Sequence, residues 1–283
     1  MLHSFRHITF AGECLAQNGK THKPESRTTH NVRSKVKSLI KISKKLAHSV
    51  SNLSFEKPVF YTYNPLEYAF NTHCDYLKKY GYSKHGILFL GMNPGPWGML
   101  QTGIPFGQID YVKNWLKIKG EIFSPAKEHP KRLIEGFSCR RREVSGERLW
   151  NWISKLFRTP SNFFENFFVS NYCPLAFLEE SGRNRIPEKL PLAERKALFT
   201  ICDESLVELV KIMDTKVVVG IGKFAEKRAK IALKGLDISV FSILHPSPAS
   251  PAANRGWAPQ ASKQMVDILS RFDECKELVS IFE

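Results

Sequence analysis

Four short apolar runs stand out along the chain: Gly86-Ile-Leu-Phe-Leu-Gly91, Asn166-Phe-Phe-Val-Ser170, Lys216-Val-Val-Val-Gly220 and Ile238-Ser-Val-Phe-Ser-Ile-Leu244. Runs this continuous suit strands covered on both faces, as in a parallel sheet, better than half-exposed strands, which alternate. Around them apolar positions recur at helical spacing over Pro65–Tyr80, Gly146–Phe157, Glu194–Asp214, Lys223–Lys234 and Gln260–Phe272. Alternation of strand and helix predicts one α/β domain, beginning near Phe55 and running to about residue 275. No internal repeat marks a second domain.

In an open parallel sheet, ligands bind beyond the carboxyl ends of the strands. Here those ends read Gly91-Met-Asn93, Ser170-Asn171-Tyr172, Gly220-Ile-Gly222 and Leu244-His245-Pro246. Three of the four deliver an amide or an imidazole to the place where a ligand should sit. That convergence favours a site over chance.

Composition narrows the class. With 42% hydrophobic and 24% charged residues the chain is ordinary globular material, which excludes wholesale disorder, collagen and a coiled coil. No apolar stretch is long enough to span a bilayer, so a soluble protein is expected. The 42 Lys and Arg against 27 Asp and Glu leave a net charge of +15, which points to a polyanion such as nucleic acid or an acidic membrane. About half of that surplus falls in residues 1–50, which hold ten basic and two acidic side chains. This stretch reads as a disordered basic tail. Within it, Val32–Val50 sets Val36, Leu39, Ile40 and Leu46 among five lysines, so a basic amphipathic helix on phosphates or a nuclear signal stands beside the solvated arm. The opening Met1–His7 has a weak presequence character.

The six cysteines, Cys14, Cys74, Cys139, Cys173, Cys202 and Cys275, form no C-x-x-C pair, and five of the nine histidines lie in the first 50 residues without ligand spacing. A reduced intracellular chain is expected, with no disulfide framework, metal or cofactor.

Two loops carry the chemistry. Gly91-Met-Asn-Pro-Gly-Pro-Trp-Gly-Met-Leu-Gln-Thr-Gly-Ile-Pro-Phe-Gly107 packs five glycines and three prolines into seventeen residues. Such a loop is rigid and exposes backbone N–H groups at close range. It lacks the Gly-Lys-Ser/Thr of a P-loop and is no dinucleotide fingerprint. Gly220-Ile-Gly-Lys-Phe-Ala225 fits the dinucleotide spacing superficially, but it follows a later strand and no acidic residue ends the next one. The second loop, His245-Pro-Ser-Pro-Ala-Ser-Pro-Ala-Ala-Asn-Arg-Gly-Trp257, fixes its histidine with three prolines at a strand end.

These two loops, with Tyr63-Asn-Pro-Leu-Glu-Tyr68, Glu143-Val-Ser-Gly-Glu-Arg-Leu-Trp150 and Asn171-Tyr-Cys-Pro-Leu175 between them in order, resemble the single-strand-selective monofunctional uracil-DNA glycosylases from about Phe55 to Phe272. The resemblance implies the uracil-DNA glycosylase fold: three layers, α/β/α, with a central four-stranded parallel sheet. It implies hydrolysis of the N-glycosidic bond of uracil, and of 5-hydroxymethyluracil, in single- and double-stranded DNA, by base flipping, leaving an abasic site for base excision repair. Asn93 and His245 would be catalytic, orienting water and stabilising charge on the uracil 2-keto oxygen. Asn171 would pair with the uracil edge, Phe106 would stack on the base, and Met92, Gly95 and Met99 would line the pocket, the last two near the pyrimidine 5-position. No lysine lies in either catalytic motif to form a Schiff base, in keeping with a monofunctional enzyme.

Residues 181–191 resemble the family's DNA-contacting insertion, so Arg183, Arg185 and Lys189 are expected on phosphates, as are Ser247, Ala249 and Arg255 near DNA. Arg140, Arg141 and Arg142 form a further basic cluster, equally readable as solvated surface. One departure stands out. Relatives carry Arg-Asn after His-Pro-Ser-Pro, whereas this chain has Ala249-Ser250. The missing Arg is the side chain expected to enter the duplex where the base leaves it, which shifts the expectation toward single-stranded substrate. DNA is the expected partner of a monomer acting in the nucleus, with mitochondria as the other destination open to the basic tail. The alternatives are a superfamily relative for another damaged base, and a nucleic-acid-binding module without catalysis.

Overall fold

All four apolar runs become strands of one parallel sheet. The computed structural model describes residues 27–83 and 86–283, with side chains from Val32 onward. In chain order the strands are β1 (Tyr61–Tyr63), β2 (Ile87–Gly91), β3 (Phe167–Asn171), β4 (Ala176–Leu178), β5 (Asn184–Arg185), β6 (Val217–Ile221) and β7 (Ser239–Ile243). The longer helices are α1 (Arg27–Ser51), α2 (Pro65–Tyr68), α3 (Phe70–Tyr80), α4 (Met99–Thr102), α5 (Val144–Phe157) and α6 (Pro160–Phe164) in the first half. They are followed by α7 (Leu192–Met213), α8 (Lys223–Ala232), α9 (Pro251–Asn254), α10 (Trp257–Leu269) and α11 (Lys276–Phe282).

The main sheet has the order β3-β2-β6-β7, every pair parallel. From β2 the chain goes to β3 on one side and later to β6 on the other. The order therefore reverses between β2 and β6, and the crevice beyond their carboxyl ends is where such a sheet binds ligands. Side chains alternate between the two covering layers. Phe89 and Phe167 turn to Trp152, Phe157, Phe163 and Phe282 on α5, α6 and α11. Phe168 turns to Tyr76 on α3. This is the expected α/β/α arrangement, and each fully buried side chain of this size contributes roughly 1.5–3 kcal/mol.

Two features depart from the sequence reading. A second, antiparallel sheet, β1-β4-β5, flanks the main one. Its strands of two or three residues are too short to show a period. The other concerns the tail. Disorder was expected through residue 50, but from Arg27 the chain is helical. Leu39, Ile42, Ala47 and Val50 are buried against the body, and Lys37, Lys41, Lys44 and Lys45 face outward. The amphipathic alternative thus describes this stretch, with its apolar stripe packed on the protein itself. Asn64 ties down the end of α1, donating from Nδ2 to Ala47 O at 3.1 Å and Ser51 Oγ at 2.9 Å. The presequence-like opening, Cys14 and the first 26 residues lie outside the described residues.

Candidate active site

The loops leaving β2, β3 and β7 meet at the crevice. Backbone bonds continue the β2–β3 ladder past the strand ends, from Tyr172 N to Gly91 O and from Cys173 N to Met92 O, both 2.9 Å. Met92 is thereby a half-buried backbone anchor, and Asn93 and Asn171 are held on neighbouring strand ends. Asn93 donates from Nδ2 to Leu175 O at 3.1 Å, which fixes the amide and leaves Oδ1 as its acceptor.

A chain of contacts joins the remaining expected residues. Asn171 Nδ2 donates to the thioether of buried Met99 at 3.2 Å, a weak acceptor that a carbonyl oxygen readily replaces. Its Oδ1 lies over Gly91, where an added Cβ would be 2.2 Å away. The Phe106 ring covers the same α-carbon, 2.6 Å from that Cβ position, and its centroid is 6.1 Å from the His245 ring. Gly91 is therefore required for close approach rather than for its backbone angles. Phe106 itself has φ 54, a left-handed conformation uncommon outside glycine. Its carbonyl is held by Trp150 Nε1 at 3.1 Å and Gln108 N at 2.7 Å, and Gly146 leaves room for it.

His245 is fixed by its neighbours rather than by its ring. Leu244 accepts from Trp257 Nε1 at 2.6 Å and donates to Gln264 Oε1 at 2.8 Å. Arg148 then donates to Pro246 O at 3.2 Å, Ser247 O at 3.3 Å and Asn254 Oδ1 at 2.9 Å. Burial lowers the His245 pKa to about 4, so the imidazole is neutral at pH 7 and keeps one N–H to donate. Ser247 Oγ accepts from Ala249 N at 3.1 Å, and Ser250 caps α9 by accepting from Ala253 N at 3.3 Å. Ala249 and Arg255 are exposed along this loop.

Below the glycine-rich loop sits Glu143. An added Cβ on Gly95 would lie 2.5 Å from its Oε2, and one on Gly98 would lie 2.8 Å from its Cγ. Burial pushes its carboxyl above the usual range, against backbone N–H groups of Ser145, Gly146 and Trp97 that hold it down. On the other flank Tyr68 OH donates to Leu100 O at 2.8 Å and Thr72 Oγ1 to Thr102 O at 2.6 Å. His73 Nδ1 donates to Gly103 O at 3.2 Å. Glu143, Arg148 and His73 were given no role by the sequence reading. The block Glu143–Trp150 was the available signal for the first two, while His73 is a lone histidine in a helical stretch.

The insertion at residues 181–191 is the turn and exit of the β4–β5 hairpin. Asn184 Nδ2 donates to Pro94 O at 3.0 Å, joining it to the loop beside Asn93. Arg183 and Lys189 are exposed, but Arg185 is engaged internally, by Glu179 Oε1 at 3.0 Å and Lys189 O at 2.7 Å. Arg185 thus braces the hairpin from within. Among the described residues no group of three or more His, Cys, Asp or Glu lies in position to hold a metal, and no helix is long and apolar enough to cross a membrane.

Residues 78–270 match the Uracil DNA glycosylase superfamily. A rat protein named single-strand selective monofunctional uracil-DNA glycosylase is 43% identical over 253 residues, covering 88% of this chain and 91% of the relative. The mouse protein of that name is 42% identical over 255 residues, with 88% and 91% covered. The bovine one is 42% identical over 226 residues, with 79% and 83% covered. The crystal structure of Pedobacter heparinus SMUG2 shares the fold at TM-score 0.61 and 18% identity, over 84% of this chain and 97% of that one. Its fold, its strand-end loops and these relatives together make this chain a member of the single-strand-selective monofunctional uracil-DNA glycosylases, hydrolases of the uracil-DNA glycosylase superfamily.

Proposed function

We propose that the enzyme flips uracil or 5-hydroxymethyluracil out of DNA into the crevice and hydrolyses its glycosidic bond, with single strands the favoured substrate. The observation that carries this is the contact chain Met99–Asn171–Gly91–Phe106–His245, which sets a hydrogen-bonding amide, an aromatic face and a neutral imidazole around one position. Asn171 donates to the 4-keto oxygen and accepts from the ring N–H, a pattern that cytosine cannot meet. Phe106 stacks on the base, and Gly95 and Met99 face its 5-position. Neutral His245 donates to the 2-keto oxygen, where charge grows as the bond to the sugar lengthens. A donor of this kind is worth roughly 3–4 kcal/mol in the transition state.

Asn93, its Nδ2 tied to Leu175, orients the attacking water through Oδ1. An amide cannot take the proton as a carboxylate would, so bond breaking runs ahead of attack and catalysis is mainly electrostatic. Arg183 and Lys189 bind phosphates, and Ser247, Ala249 and Arg255 line the strand on the His245 side. The nucleus is the proposed place of action, in keeping with a DNA substrate and the basic residues of the first 50 positions.

An end-labelled single-stranded oligonucleotide with one uracil tests the reading, incubated in EDTA and then divided between alkali and no alkali. Strand cleavage only after alkali is expected. No uracil release despite binding would move the reading to another damaged base or to a binding module.

A further inference from the structure

Trp97 lies in the glycine-rich loop between Gly95 and Gly98, four residues beyond Asn93, and two guanidinium groups gather on its indole. Arg132 Cζ is 5.0 Å from the ring centroid and Arg141 Cζ is 5.4 Å from it. Gln101 of α4 sets the approach of the first, donating to Leu133 O at 2.9 Å and accepting from Glu135 N and Gly136 N at 2.9 and 3.1 Å. The β4–β5 hairpin closes on the same place. Gly182, at φ +83, has Lys131 Cβ 3.4 Å and Arg132 Cζ 3.6 Å from where a Cβ would stand, and exposed Arg183 follows it. The Asn184–Pro94 bond fastens this hairpin to the loop that carries Asn93.

The chemistry of these cations points outward. Stacking on an indole uses the face of a guanidinium and leaves its in-plane N–H donors for other acceptors. Half-buried Arg132 gives one donor to Lys131 O at 2.8 Å and its Nε is buried without a partner, while Arg141 is exposed. Among the described residues Lys131, Arg132, Arg141 and Arg183 form no ion pair with a carboxylate. Arg142, by contrast, is paired through two bonds with Glu147, at 2.5 and 2.6 Å. Cations arrayed beside an aromatic ring are how proteins hold single-stranded nucleic acid, through phosphates and base faces.

We propose that Arg132 and Arg141 on Trp97, with Lys131 and Arg183 beside the adjoining Gly182 turn, form a phosphate-binding track for the single strand flanking the target base. It lies along the lip of the glycine-rich loop and anchors the strand without help from the loop that carries Ala249. The proposal rests on the reading of this crevice as the site that handles uracil in DNA.

The test compares Arg132→Gln/Arg141→Gln with Lys211→Gln/Lys216→Gln, which removes two charges at the opposite, amino end of β6. Binding of fluorescein-labelled oligothymidine is followed by anisotropy across a salt series, and uracil release from a single-uracil oligonucleotide is measured in parallel. The track predicts that the arginine pair lowers the slope of log affinity against log salt by about 1.4, at 0.7 for each phosphate contact on a single strand. It also predicts that affinity falls on the order of tenfold, with the lysine pair close to wild type. Arg141→Gln alone, an exposed substitution, gives about half of that slope change if the double variant folds poorly. Uracil release with an unaltered slope, or equal slopes for the two pairs, overturns the track and leaves the glycosylase reading intact. A lowered slope with no uracil release by any form upholds the track and overturns the glycosylase reading.

Discussion

Ser43 of α1 and His73 of α3 are hydrogen-bonded, Oγ to Nε2, at 3.2 Å. Gly103 O can only accept, so His73 Nδ1 carries the proton and Nε2 accepts from the serine. The amino-terminal helix is thus wired through one buried imidazole to the end of the glycine-rich loop. A cleft lined by Met99, Pro105 and Asn171 runs back past His73 to α1.

Burial lowers the His73 pKa from 6.5 to about 4. The unfolded chain takes up a proton below pH 6.5 that the folded chain refuses, so this contribution to stability is complete above pH 6.5 and declines as pH falls toward 4. The full loss is roughly 3–4 kcal/mol at about 1.4 kcal/mol per pH unit. Urea unfolding at pH 7 and pH 5 is expected to show His73→Gln with a shallower pH dependence than wild type. Equal dependence would contradict a buried neutral imidazole.

Gly91→Ala places a methyl against Asn171 Oδ1 and the Phe106 ring at once. Excision is expected to fall on the order of a hundredfold or more, because a displacement of about 1 Å at reacting groups costs that much. Circular dichroism should show the fold retained. Near-normal excision by this variant would mean that the amide and the ring do not act together on the base.

Arg148→Gln removes the clamp on the His245 loop without touching His245. The expected result is a fall in kcat on the order of ten- to a hundredfold with a small change in KM, since the bonds to Pro246, Ser247 and Asn254 position rather than bind. A change confined to KM would recast Arg148 as a DNA contact.

Ala249 is exposed on the loop where the resemblance implies an arginine entering the duplex. Ala249→Arg is expected to raise excision from duplex DNA several-fold while single-strand excision stays within about twofold, because only the duplex resists losing a stacked, paired base. No gain on duplex would show that the strand preference lies elsewhere.

What was legible in the chain depended on distance. Continuous runs such as Ile87–Gly91 and Val217–Ile221 declare buried parallel strands locally, and their ends then name Asn93, Asn171 and His245. The helix α1 was harder to see, because its lysines look like those of a solvated arm and its stripe of Leu39, Ile42 and Val50 has meaning only against distant α3 and α7. Helical stability of this kind comes from tertiary packing rather than from propensity. The bonds of Arg148 span 98 to 106 residues, and no local pattern announces them. Arg185 is another such case: its ion pair with Glu179 across the hairpin has no signature in the local sequence.

Neutral His245 is proposed to stabilise charge on the departing uracil. Single-turnover excision from a single-stranded uracil oligonucleotide, by wild type and His245→Leu between about pH 5.5 and 8, tests it most directly. Wild type is expected to show no inflection from this residue, because its pKa near 4 lies below the range, and the variant a loss of roughly 100- to 1,000-fold. An inflection near pH 6.5 that the variant abolishes, or a variant within a few-fold of wild type, would contradict it.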